Sequence, residues 1–176
     1  MKLKQPPLIS EILPGSFALG LLAIAFWESV ESFFNPSQTN SLLFRAGSFI
    51  LITWILGTFF DAIRNGFLEE RILDRWMGKM DWNFFFEGEK EKVGQFENYY
   101  YAYYTMGINF VIAAVFFFIV MLLIHWCWSV PCSMRDIWTV AGAILFAVVF
   151  WCDACTLRRH MVKLLEQRLQ NNNHGS

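Results

Sequence analysis

The sequence predicts an all-α integral membrane protein with four transmembrane helices, both termini cytoplasmic, and a juxtamembrane cytoplasmic helical extension. Three observations carry this expectation. The 176 residues are 56% hydrophobic and only 16% charged, with 19 Phe and 8 Trp, whereas soluble chains carry about 25% charged residues. A chain this short has too little interior to hide so many large apolar side chains from water. Four apolar stretches recur, each about long enough to cross a hydrocarbon layer of roughly 30 Å as a helix. The lysines and arginines are unevenly placed between these stretches, which fixes an orientation.

Residues 1–13 form an N-terminal segment; Lys2 and Lys4 precede an apolar run without a clear small-residue cleavage site, so the first span is read as retained. Span one covers about 14–34, with Pro14 suited to a first helical turn and Asn35-Pro36 as the stop. Span two covers about 42–63. Span three, about 103–127, contains no Asp, Glu, Lys or Arg, which argues against a soluble bundle, where a helix keeps a polar face. Span four, about 136–157, is interrupted only by Asp153. Lipid forces the helical choice, because open strands would leave backbone groups unpaired. The four spans lie within a domain of residues 14–160; residues 161–176 form an amphipathic tail with a disordered end, in which Leu157, Met161, Leu164, Leu165 and Leu169 recur at helical spacing.

With four spans, twelve of the fourteen basic residues fall on one side and only Arg45 and Arg135 on the other. The positive-inside bias makes the first side cytoplasmic and suggests a bacterial inner (plasma) membrane, N-in and C-in. The tyrosines at 99–104 and the tryptophans at 126, 128, 138 and 151 fall at the expected interfaces, as an amphipathic anchoring belt would.

The cytoplasmic loop 64–98 opens with a charged stretch. Asp61 and Arg64 are three apart and can pair along a helix. Ile63, Phe67, Ile72 and Trp76 are expected to form its apolar stripe. Glu70/Asp74 and Arg71/Arg75 are like charges four apart, a pattern that asks for an opposing partner surface. Asp153 is an ionisable residue in an apolar span and so a functional suspect, with Arg64 or Arg158 as candidate partners. On the outer side, Glu28 and Glu31 with Arg45 form an ion pair or a pore mouth. Cys127 and Cys132 flank a short turn and are spaced for a disulfide if that side is oxidising. His125 reads as a headgroup-level hydrogen-bonding residue, and neither a metal site nor a cofactor is expected.

Several function classes lose support. No phosphate-binding P-loop, metalloprotease motif or hydrolase nucleophile elbow occurs, and no basic patch suits nucleic acid. Three readings remain. The first is an oligomeric membrane sensor or anchor for a cytoplasmic partner, contacted through loop 64–98 and tail 161–173, with Arg64, Arg71, Arg75, Arg158 and Arg159 available to a partner or a phosphate. The second is an oligomeric ion channel or pore. The third is a metal-dependent enzyme acting on lipid or prenyl phosphates, with Asp61, Glu69, Glu97 and Asp153 as its carboxylates; an enzyme is the less favoured class. The lipid bilayer and a second copy of the chain are the expected partners.

Overall fold

The computed structural model describes residues 8–26, 42–80, 100–128 and 131–174. It is all-α. Helix α1 spans Leu8–Ala25 and α2 spans Leu42–Ile63. A π-helical segment, Arg64–Leu73, continues α2 without a break and leads into the one-turn α3, Asp74–Met77. Helix α4 spans Ala102–Trp128 and α5 spans Met134–His174.

Three of these helical runs are long and apolar enough to cross a membrane: Gly47–Met77, Ala102–Cys127 and Met134–Leu164. The fourth apolar stretch, Ile12–Ala25, is shorter. The expected first span therefore differs from the observed helix. Helix α1 begins before Pro14, which lies inside it, and residues 27–41, where its end is expected, lie outside the described residues. Pro14 removes one intrahelical N–H, a loss that a helix packed among others tolerates better than one in water.

Helices that follow one another in the chain alternate in direction, whereas α1 and α4 pack side by side and run the same way. Ala25, at the end of α1, accepts a hydrogen bond from Arg135 at the start of α5 (3.0 Å). Asp61, near the end of α2, accepts one from Asn109 in the first half of α4 (3.3 Å). Tyr104 at the start of α4 meets Arg158 in the second half of α5 (2.9 Å). The bundle thus has a charged end, reached by α2, the start of α4 and the latter half of α5, and an opposite end holding the α4–α5 connection.

Two apolar clusters fill it. Near the charged end, Phe60, Leu73, Met80, Ile108, Ala154 and Met161 are buried together. Toward the opposite end Ala25, Ala114, Phe117, Met121 and Ala143 are buried, with Ala147 packed against them. Ala143 and Ala147 therefore face the α1 and α4 residues of this cluster. Between the clusters the rings of Phe17 and Phe146 stack at 4.3 Å, and Phe110 meets Phe17 edge-on at 5.4 Å. Helices α1 and α2 approach more closely still. A Cβ added to Gly15 would lie 2.9 Å from the Thr53 carbonyl carbon and 3.2 Å from the Gly57 nitrogen, so only glycine fits there.

Helix α5 starts on a reciprocal cap. The Asp136 N–H donates to Ser133 Oγ (3.2 Å), and Asp136 Oδ2 accepts from the Ser133 N–H (2.8 Å) and hydroxyl (2.7 Å), a capping box with Asp in the Glu/Gln position. The helix then runs on to His174, through the asparagines expected to be disordered. Many large apolar side chains on α2, α4 and α5 point outward, among them Ile50, Ile55, Leu122, Leu123, Leu145 and Val149, the surface that lipid covers.

Candidate functional site

The charged end carries a buried polar network built on the π-helical segment. In a π-helix the backbone bonds run from residue i to i+5, as the Asp74 N–H bonded to the Glu69 carbonyl shows. Positions five apart therefore stack along one face. Here those positions are Arg64, Glu69 and Asp74. Leu68 and Leu73, also five apart, pack against the apolar core beside them. The stripe expected from α-helical spacing does not form in that way: Phe67 and Trp76 are exposed, while Arg64 and Leu73 are buried. The wider turn rotates the register after Ile63 and changes which side chains face inward.

Arg64 is fully buried. Its Nη2 is 2.8 Å from Asp61 Oδ1 and its Nε 3.2 Å from Glu69 Oε1. Nε and Nη2 also donate to Asn65 Oδ1 at 3.3 and 3.0 Å. Asn65 and Asn109 each donate to the Asp61 carboxylate, at 3.1 and 3.3 Å. Asp61, on α2, is thus held from the π-helical segment and from α4 at once. Tyr101 lies beside Arg64 and hydrogen-bonds to it; burial pushes its phenol up from the ordinary value, against the opposing pull of the guanidinium, so it stays neutral at physiological pH.

The second arginine, Arg158, is also fully buried. Its Nη1 donates to the Tyr104 hydroxyl at 2.9 Å. Its Nη2 bonds to Asp74 Oδ1 and donates to the Gly78 carbonyl at 3.1 Å. Gly78 has a φ of +91°, a conformation L-residues rarely adopt. It comes directly after Met77, ends the helix there, and aims its carbonyl at Arg158. Arg158 therefore ties α5 to α4 and to the chain that leaves α2.

Two cations face three carboxylates in this network: Arg64 and Arg158 against Asp61, Glu69 and Asp74. Arg64 is matched by Asp61 and Glu69 and Arg158 by Asp74, which compensates charge that would be costly to bury alone. The arrangement joins helices, and a bound phosphate would have to displace carboxylates already in place.

The remaining sequence-predicted residues lie elsewhere. Asp153 is exposed and, contrary to expectation, pairs with neither Arg64 nor Arg158. Ala154, Arg158 and Met161 form the inward face of α5, and Asp153 lies off that face. Arg71, Arg75 and Arg159 are exposed, and the Arg71 guanidinium lies 5.7 Å over the Phe67 ring. Glu28, Glu31 and Glu97 lie outside the described residues, as does the side chain of Arg45. Cys127 and Cys132 are exposed free cysteines at the opposite end. The tyrosine run divides. Tyr103 is exposed as an anchor would be, Tyr104 is buried in the network, and Tyr100 stacks on His160 at 5.9 Å.

The roles of Asp74, Tyr104 and Gly78 are not among those expected from the sequence. The available signal was the 64–69–74 spacing, which has no meaning on an α-helix. The chain is a small helical protein with membrane-spanning character. No protein-family model, curated protein or solved structure matches it.

Proposed function

We propose that this chain is a membrane anchor that presents a rigid helical surface at the cytoplasmic face to a protein partner. The observation that carries the reading is the length and fixation of α5. Its 41 residues form one unbroken helix, about 60 Å long at 1.5 Å per residue, roughly twice the hydrocarbon thickness. Arg158 pins it to the chain leaving α2 just where it would emerge from lipid. The part of α5 beyond Arg158 is thereby held in a fixed direction relative to the membrane, as a docking element needs. Arg71, Arg75 and Arg159 are exposed at the same end and give that surface positive charge.

The test is affinity capture of the full chain in detergent from its own membranes. The reading expects a stoichiometric cytoplasmic protein that is lost when residues 161–176 are deleted and retained when Trp126 at the opposite end is replaced by Ala. Retention of the same protein by the deletion variant would overturn it.

A second reading, homo-oligomerisation, has its own observation. Asp153 lies exposed on an apolar helix, whereas ionisable groups within a membrane usually face other protein or water. A second copy packed on that face would cover it. Cys152 is exposed beside it, so oxidative cross-linking through Cys152 in membranes, weakened by Asp153→Leu, is the expected result. A channel would require this interface to line a hydrated path. A metal-dependent lipid-phosphate enzyme has less support, because Asp61 and Glu69 are occupied by Arg64 and Asp153 lies apart from them.

A further inference from the structure

At the end of the bundle opposite the arginine network, three side chains from both sides of the α4–α5 connection converge. His125 comes from the last turn of α4, Cys132 from the connection, and Asp136 from the first turn of α5. A ring nitrogen, the thiol sulfur and a carboxylate oxygen all lie within 4.8 Å of one another. The sequence alone makes His125 a headgroup-level residue and Cys132 half of a disulfide. The geometry points to a different use: a site for a divalent transition metal, with zinc the best match.

The chemistry of the donors supports zinc. A neutral imidazole, a thiolate and a carboxylate are all established zinc donors, at about 2.0–2.1, 2.3 and 2.0–2.2 Å. Three donor atoms no more than 4.8 Å apart can share a point about 2.8 Å from each, so closing onto a metal requires a contraction of only about 0.5–0.8 Å per donor. Cys132 is exposed and His125 half-buried, so side-chain rotation suffices. Oxygen-only cations such as calcium and magnesium do not suit a thiol and an imidazole.

The surroundings are already arranged for a ligand. Asp136 is buried, and its Oδ2 is held by the Ser133 N–H and hydroxyl. That fixes the carboxylate and leaves Oδ1 available to a metal, the outer-shell support that metal-binding carboxylates receive. Three protein donors leave a fourth tetrahedral position for water or for a ligand from outside. Because the donors span the connection, metal would clamp the end of α4 to the start of α5, and Cys132 would be a thiolate ligand instead of a disulfide partner of Cys127.

The experiment uses the full chain purified in detergent under a mild reductant that does not chelate metal. Zn2+ is titrated in competition with a chromophoric chelator, and Co2+ serves as the spectroscopic probe. Expected are one Zn2+ per chain and a Co2+ adduct with a near-ultraviolet thiolate charge-transfer band. Cys132→Ser should abolish that band and weaken Zn2+ at least tenfold. Asp136→Asn keeps an oxygen for the helix cap and should also weaken Zn2+ at least tenfold, with thermal unfolding of the metal-free variants checking the fold. Cys127→Ser should leave binding unchanged. The inference is overturned if Zn2+ binding is absent, or is as tight in Cys132→Ser and Asp136→Asn as in the unaltered chain. It is equally overturned if mass spectrometry of chain isolated without reductant finds Cys127 and Cys132 joined by a disulfide.

Discussion

Replacing Arg158 by Met tests whether the buried network holds the bundle together. The side chain makes three polar contacts: to Asp74, to the Tyr104 hydroxyl and to the Gly78 carbonyl. Interhelical hydrogen bonds within membranes average about 0.6 kcal/mol each, so a neutral network of this size would contribute about 2 kcal/mol. Removing one member of a fully buried ion pair costs about 3–5 kcal/mol, because the other charge is left uncompensated. Here the Asp74 side chain keeps 26% of its exposure, so water can partly rehydrate it and the upper figure does not apply. The expected cost is therefore about 2–3 kcal/mol. Unfolding would be followed by tryptophan fluorescence during SDS titration of mixed micelles, for the unaltered chain, Arg158→Met, Asp74→Leu and the double variant. The two substitutions should show a coupling of about 1–2 kcal/mol, with the double variant less unstable than the sum of the singles. If Arg158→Met unfolds within about 0.5 kcal/mol of the unaltered chain, or the two effects add, the network is not what joins α5 to the chain leaving α2.

Gly15→Ala should destabilise the chain by about 1–3 kcal/mol in the same titration, since the added methyl meets the Thr53 backbone and forces α1 from α2; Gly20→Ala, which meets nothing, serves as the control. Gly78→Ala should cost about 1–3 kcal/mol through strain at positive φ, even though the added methyl meets only Val162, at an ordinary 3.9 Å. Arg64→Lys should lose about 1–2 kcal/mol despite keeping its charge, because a single ammonium cannot reproduce the forked contacts to Asp61, Asn65 and Glu69. Thiol labelling in membranes should modify Cys152 faster than Cys155, whose side chain is more enclosed.

Much of the fold was legible because lipid imposes a length and a composition that single spans must meet. Span three, expected at 103–127, is the helix Ala102–Trp128. The Asp61–Arg64 pair was legible for a similarly local reason, since residues three apart on any helix of ordinary winding are neighbours. The start of α5 was not placed from Ser133-Met134-Arg135-Asp136, although a serine with an acid three residues later is a recognisable start signal. The Gly15–Thr53 approach could not be read, because it depends on which faces of two helices meet. The partners of Arg158 were hidden for two reasons. One, Tyr104, sat in a run whose interfacial meaning was sufficient by itself. Asp74 was paired with Glu70 as a like charge awaiting an opposing partner surface, under a period of 3.6 that the chain abandons at Arg64.

That change of winding has an electrical consequence. On an ordinary helix, five residues advance the direction of a side chain by about 500°, leaving it about 140° from its starting azimuth. Wound in that way, Glu69 would point away from Arg64, and Asp74 would lie a further 140° or so around the axis. The overwide coil reduces this drift and acts as a rotary adaptor between the apolar rod before it and the acids it carries. Tightening its turns would carry Glu69 away from Arg64 and Asp74 away from Arg158, so both ion pairs favour the wide coil over the commoner form.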